Sequence, residues 1–233
     1  MIRRVVSLVP SVTETLLEWG VVPVGVTRFC EHPELAVVGG TKNPDIEAIV
    51  ALAPELVVLD REENRLPDAE ALAAAGLALH VTHVRRLTDV APTLGALAAA
   101  LGVDQGEGKG VPLPGPGPAG RRIRVYVPIW RRPWMSISRA TYGSSLLDAA
   151  GATNVLADHP DPYPQVPLEQ VAALRPDLVL APSEPYRFSA RHAGLFAGVA
   201  PMVPVDGKDL FWWGVRTPGA LGRLRALLGS VEL

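Results

Sequence analysis

Two stretches decide the fold: DIEAIVALAPELVVLD, residues 45–60, and PLEQVAALRPDLVLAP, residues 167–182. Each has a short helical pattern, a proline that stops it, an acidic residue and a near-continuous apolar run. In the first, Asp45–Leu52 reads as a helix ending before Pro54, and Leu56–Leu59 as a strand. Such a run reads as a strand covered on both faces, as in a parallel sheet flanked by helices.

Working outward, the same rhythm continues. Val5–Val9 reads as a strand. Ser11 is placed to cap the next helix, with Glu14 completing a capping box; that helix runs to Trp19 and stops at Gly20. Val21–Thr27 reads as a strand, Pro67–Ala75 as a helix stopped by Gly76, Leu77–Thr82 as a strand and Thr88–Leu101 as a helix stopped by Gly102. In the second half the strands are Ile123–Val127, Leu178–Leu180 and Met202–Val205, and the helices Thr141–Ala150, Leu168–Leu174 and Pro218–Leu228. Arg4-Val5 and Arg124-Val125 open the first strand of each half; Trp19-Gly20 and Ala150-Gly151 close each first helix. The chain is therefore expected to be α/β, with two similar three-layer lobes of mostly parallel sheet: residues 1–103, a Pro/Gly-rich linker at 104–120, and residues 121–233. Ligands of such sheets sit beyond the carboxyl ends of the strands, so a cleft between facing lobes is the expected binding place.

Composition narrows the function. The chain has 233 residues, 22 basic and 24 acidic side chains and a net charge of −2. That argues against a nucleic-acid binder held by a broad basic surface. The single cysteine, Cys30, excludes an internal disulfide and a multi-cysteine metal site. No apolar run is long enough for a membrane helix. The N-terminal apolar run is too short for a signal-peptide core, so a cytoplasmic location is expected.

Catalytic motifs are missing: there is no G-x-S-x-G, no P-loop and no G-x-G-x-x-G after a strand. Cys30 with His32, and Asp60 with Glu62, are the nearest approaches to a reactive pair. His80 and His83 fall on opposite faces of a strand. Asp158, His159 and Asp161 form a polar cluster between prolines that reads equally as a solvated turn. The aromatic residues carry more. Nine of the thirteen fall in expected loops, mostly just after strands: Phe29, Trp130, Trp134, Tyr163, Tyr186, Phe188, Phe211, Trp212 and Trp213. They either line a ligand pocket or plug the lobe cores. Arg28, Arg61, Arg131, Arg187, Lys208 and Arg216 accompany them, suited to amide- or carboxylate-bearing ligands.

The stretches RVVSLVPSVTETLLEWG, VGVTRFCEHPE, GGTKNPDIEAIVALAPELVVLD and YPQVPLEQVAALRPDLVLAP resemble the substrate-binding proteins that feed metal-chelate ABC importers, in particular the cobalamin-binding members. The resemblance covers nearly the whole chain outside Asp104–Gly120. It implies a class III periplasmic-binding-protein fold, binding without catalysis, no metal site in the protein itself, and cobalamin or a related corrinoid as ligand. By the same resemblance the ligand contacts are Phe29, Cys30, His32, Asp60, Arg61, Asn64, Trp130, Arg131, Trp134, Tyr163, Phe211, Trp212 and Trp213. The alternatives are haem or an iron–siderophore in the same fold, with His32, Tyr163 or Tyr186 as an axial ligand, or an enzyme or regulator on the same scaffold. Two features depart from the family. The long helix joining its lobes is replaced by the Pro/Gly stretch. Its two importer-docking glutamates fall near Leu66 and Gly214, with Glu62, Glu63 and Glu70 only as neighbours, which leaves an importer membrane subunit as a partner only by resemblance.

Overall fold

The computed structural model describes residues 2–104 and 121–231; the expected linker therefore lies, from residue 105 on, outside the described residues. Contacts divide the described chain into two units. The first comprises residues 2–84, 88–104 and 213–216; the second comprises 85–87, 121–212 and 217–231.

In the first unit the order is β1 (Val5–Ser7), α1 (Pro10–Glu18), β2 (Gly25–Val26), β3 (Gly39–Gly40), β4 (Asn43–Pro44), α2 (Ile46–Ala51), β5 (Leu56–Asp60), α3 (Leu66–Ala74), β6 (Leu79–Thr82) and, after one 3-10 turn, α4 (Val90–Leu101). The main sheet is wholly parallel in the order β2-β1-β5-β6. Every residue of β1 and β5 is buried, which requires cover on both faces. Val6, Val57 and Leu59 pack with Ile49 of α2 and Leu72 of α3. Leu16 of α1 and Leu97 and Leu101 of α4 are also without exposure. Each such side chain contributes about 1.5–3 kcal/mol by leaving water.

The second unit repeats the plan with β7 (Ile123–Tyr126), β8 (Trp130–Arg131), β9 (Trp134–Met135), α5 (Tyr142–Ala150), β10 (Ala152–Asn154), α6 (Leu168–Ala173), β11 (Leu178–Pro182), a 3-10 segment Ala190–Phe196, β12 (Met202–Val205), α7 (Gly207–Phe211) and α8 (Thr217–Gly229). Its sheet is parallel in the order β10-β7-β11-β12, the same topology as the first.

The internal repeat is physical as well as verbal. Arg4 donates from Nε to the carbonyl of Ala53 (3.2 Å) and from Nη2 to that of Leu52, at the end of α2. Arg124 donates from Nε to Arg175 (3.2 Å) and from Nη2 to Leu174 (2.7 Å), at the end of α6. Ala53 and Arg175 both take the left-handed conformation, with φ of 43° and 51°. The acidic residue after each proline accepts main-chain N–H groups: Glu55 from Arg3 and Arg4, Asp177 from Arg124.

Four expectations change. Ser11 does not cap α1. Pro10 occupies the first helical turn, where its missing N–H costs nothing, so the helix starts before Ser11, with Val9 at the cap. Glu14 is turned to the Arg216 guanidinium instead. The expected strand Val21–Thr27 shrinks to Gly25–Val26, because Pro23 interrupts the run and has no N–H for the ladder. Trp130 and Trp134, expected in a loop, form the two-stranded ribbon β8–β9, and Phe211 closes the short helix α7. Finally, the boundary is not a single point. Arg85 reaches the Ala140 carbonyl and Leu87 N–H the Ser145 hydroxyl, both at 3.0 Å. Val215 N–H reaches Thr15 Oγ1 at 3.3 Å.

Candidate functional site

In a parallel sheet all carboxyl ends share one edge, and the crevice lies where the strand order reverses. That point is between β1 and β5 in the first unit and between β7 and β11 in the second.

At the first unit's edge, β2 leads into Thr27, Arg28, Phe29 and Cys30. Phe29 is 54% exposed; the Arg28 guanidinium lies 5.7 Å from its ring centre and donates to Asn43 Oδ1 at 2.7 Å. Cys30 is half-buried and drawn inward: Sγ lies 3.3 Å from Thr13 Oγ1 and 3.6 Å from Thr27 Oγ1, and Thr13 donates in turn to Ser7 Oγ. His32 turns to Glu34 instead, at 3.1 Å. The Cys30–His32 nucleophile arrangement is thus not formed, because each side chain has a nearer partner of its own.

After β5, Asp60 is buried and Arg61 exposed. Asp60 Oδ2 accepts the Thr82 hydroxyl and Oδ1 the Glu62 N–H, both at 2.8 Å. Burial pushes the Asp60 carboxyl above the usual carboxylate range, with these hydrogen bonds opposing the rise. Asn64 is buried and spends its amide on main-chain groups. On β6, burial lowers the pKa of His80.

At the second unit's edge, β7 leads to the β8–β9 ribbon. Trp130 is 44% exposed and meets Tyr186, which follows β11, edge to face at 5.6 Å. This contact joins the segments that follow β7 and β11, the strands between which the order reverses. Trp134 packs the other way: partly buried, it stacks on Phe188 (6.2 Å, 10°) and tilts against Phe196 (5.4 Å), against the core that holds Tyr126. Arg131 is half-buried, and Tyr163, in the loop after β10, is 38% exposed. Near Tyr163, His159 Nδ1 accepts the Asp161 N–H and Asp158 pairs with Arg139, a turn rather than a cation cage. After β12, Lys208 Nζ lies 4.8 Å from the Trp212 ring centre. Phe211 and Trp212 are half-buried. Trp213 is buried and belongs to the first unit.

The two readings of the aromatic residues therefore both apply. Phe29, Trp130, Tyr163 and Tyr186 stand at the edges, whereas Phe188 and Trp213 are buried and Trp134, partly buried, packs against the second core. Arg61, Arg131 and Arg187 have no carboxylate partner among the described residues. The pairing of Trp130 with Tyr186 is the feature that the expected contact set lacks. Its signal was the repeat: residues 183–188 follow β11 as residues 61–66 follow β5. Among the described residues no cluster of three metal-ligating side chains occurs, and no helix is long and apolar enough to cross a membrane.

Residues 5–102 match the family described as Periplasmic binding protein. The chain is 29% identical over 189 residues to the vitamin B12-binding protein of Salmonella typhimurium, covering 76% of this chain and 71% of that one. In structure it is similar to the periplasmic vitamin B12 binding protein of Vibrio cholerae (TM-score 0.79, 20% identity, 98% and 97% of the two chains). It is likewise similar to a periplasmic heme binding protein from Pseudomonas aeruginosa (TM-score 0.78, 22% identity, 100% and 95%).

Proposed function

We propose that this chain, which is similar to the metal-chelate substrate-binding proteins in sequence and fold, is a non-enzymatic binder of cobalamin or a related corrinoid. The observation that carries the proposal is the make-up of the two carboxyl edges. Exposed rings (Phe29, Trp130, Tyr163) and guanidiniums without carboxylate partners among the described residues (Arg61, Arg131, Arg187) stand on the segments that follow the strands at those edges. A corrin has apolar faces and an amide-bearing rim. Aromatic walls suit the faces and guanidinium donors the rim. The relatives at 25–29% identity, matched over 69–80% of their length, are named as vitamin B12-binding proteins, which favours a corrinoid.

A second reading, haem, draws on the heme-binding proteins among the structural neighbours and on His32, Tyr163 and Tyr186 as axial donors. Calorimetric titration with cyanocobalamin, dicyanocobinamide and haemin separates the two. Saturable binding of one corrinoid per chain is the expected result. A new Soret band with haemin and no heat with either corrinoid would replace the first reading by the second.

Transport would add a membrane partner. The family's docking glutamates fall near Leu66, 71% exposed, and Gly214, buried, with Glu62, Glu63 and Glu70 as neighbours. A partner would meet different chemistry here. The solved relatives are described as periplasmic, and the cytoplasmic expectation finds no support among them. Fractionation of the native cell decides the compartment.

A further inference from the structure

Three strand-end segments of the first unit converge on one side chain. Asn64 is 8% exposed. Its Nδ2 donates to the carbonyl of Leu8, just past β1 (3.2 Å), and to that of Thr41, in the β3–β4 turn (2.9 Å). Its Oδ1 accepts the N–H of Asp60, at the end of β5 (2.8 Å). Both amide hydrogens are spent, so Asn64 has no donor left to offer a ligand. Asp60 carries the knot on, to the Glu62 N–H and to the Thr82 hydroxyl at the end of β6. Lys42, beside Thr41, donates to the Glu62 carbonyl and closes the ring. Leu8 and Asp60 flank the point where the strand order reverses. The second unit has a buried asparagine of its own at a different place in the plan, the end of β10: Asn154, 5% exposed, donates to Ile137 O (2.8 Å) and Ser144 Oγ (3.1 Å) and accepts from Leu156 N–H (3.0 Å).

We propose that Asn64 is a positioning residue rather than a ligand contact: it locks the segments at Leu8, Thr41 and Asp60 to one another and thereby sets where Arg61 is presented. The proposal rests on the reading of this edge as a binding edge. The loop bearing Arg61 has no helix or long strand of its own to stiffen it. Its geometry comes from these hydrogen bonds, and a preorganised edge binds without first ordering itself.

The test uses the full chain, with Asn64→Ala, the isosteric Asn64→Asp, and Arg61→Ala as the contact control. Amide hydrogen exchange is measured without ligand. Affinity for cyanocobalamin, dicyanocobinamide and haemin is measured well below each variant's melting temperature. Asn64→Ala is expected to speed exchange at Asp60 and Glu62 together, and to weaken binding of whichever probe the wild type binds by roughly tenfold or more, as losing the groups that orient a contact residue does. Asn64→Asp keeps the acceptor for Asp60 N–H. It should leave that amide protected while the Thr41 side loosens. Arg61→Ala should weaken binding and leave exchange unchanged. Weakened binding with exchange unchanged in both Asn64 variants would make Asn64 a contact and overturn the proposal. Faster exchange with wild-type affinity would make it merely structural, with the same result. If the wild type binds none of the probes, the binding reading falls by itself, and unchanged exchange in Asn64→Ala would still refute the lock.

Discussion

Trp130 and Trp134 sit on facing strands of one two-residue ribbon and do opposite work. Trp130 keeps a face in solvent against Tyr186, whereas Trp134 is a wall of the second core. Trp130→Ala should therefore abolish or strongly weaken ligand binding and shift unfolding little. Trp134→Ala should cost about 1–3 kcal/mol in urea denaturation, less than emptying a fully buried aromatic site because Trp134 is only partly buried. Asp60 gives a second test at this scale. Its folded-state pKa is raised by burial, so the folded protein holds that proton more tightly than the unfolded chain. The stability it brings is complete below the ordinary aspartate pKa and is lost as pH rises from there through the raised value. Asp60→Asn should consequently gain stability relative to wild type as pH climbs toward neutrality. Melting curves across that range that run parallel for the two proteins would contradict this. Neither the division between the tryptophans nor the burial of Asp60 is legible locally, because both depend on loops that arrive from distant strands.

At the scale of elements, the repeated arginine clamp supports the helix-to-strand joints. Ala53 and Arg175 adopt left-handed backbone without being glycine, which costs about 1–2 kcal/mol each. Arg4 and Arg124 hold the adjacent carbonyls in place. Arg124→Ala should lower unfolding free energy by about 1–2 kcal/mol, and Arg4→Ala by a similar amount. The two should add in the double variant because the clamps share no partner. Strong non-additivity in denaturant titrations would show coupling not visible in the clamps. Gly214 is the other test. Its φ is 129°, and an added Cβ would stand 2.4 Å from Thr15 Oγ1. Gly214→Ala should cost about 1–3 kcal/mol, read from the same titrations. The clamp was half legible: the Arg-Val starts and the proline stops stand in the chain, but the hydrogen bonds joining them do not.

For the whole molecule, binding to the native state alone raises stability by mass action. A corrinoid at a hundred times its Kd should add about 2.7 kcal/mol. At roughly 2–4 °C per kcal/mol for a chain of this size, that is an upward Tm shift of about 5–10 °C. Thermal melts with cyanocobalamin check it, and an unmoved Tm at saturating ligand would end the corrinoid reading. The sheets share one strand order, so each unit presents its loops on a carboxyl edge by the same logic.

What the sequence by itself determined is the duplicated α/β plan and which loops leave the strands at their carboxyl ends. Apolar periodicity, proline stops and glycine ends act over a few residues, and DIEAIVALAPELVVLD and PLEQVAALRPDLVLAP carry all of them. Only the tertiary structure decided which side chains at those ends are still available. Asn64 and Cys30 look in sequence like Arg61 and Phe29, polar or aromatic positions after a strand. Asn64 is consumed by Leu8, Thr41 and Asp60, and Cys30 by Thr13. Hydrogen-bond partners 17 to 56 residues away are set by how strands pair, and no local pattern encodes that.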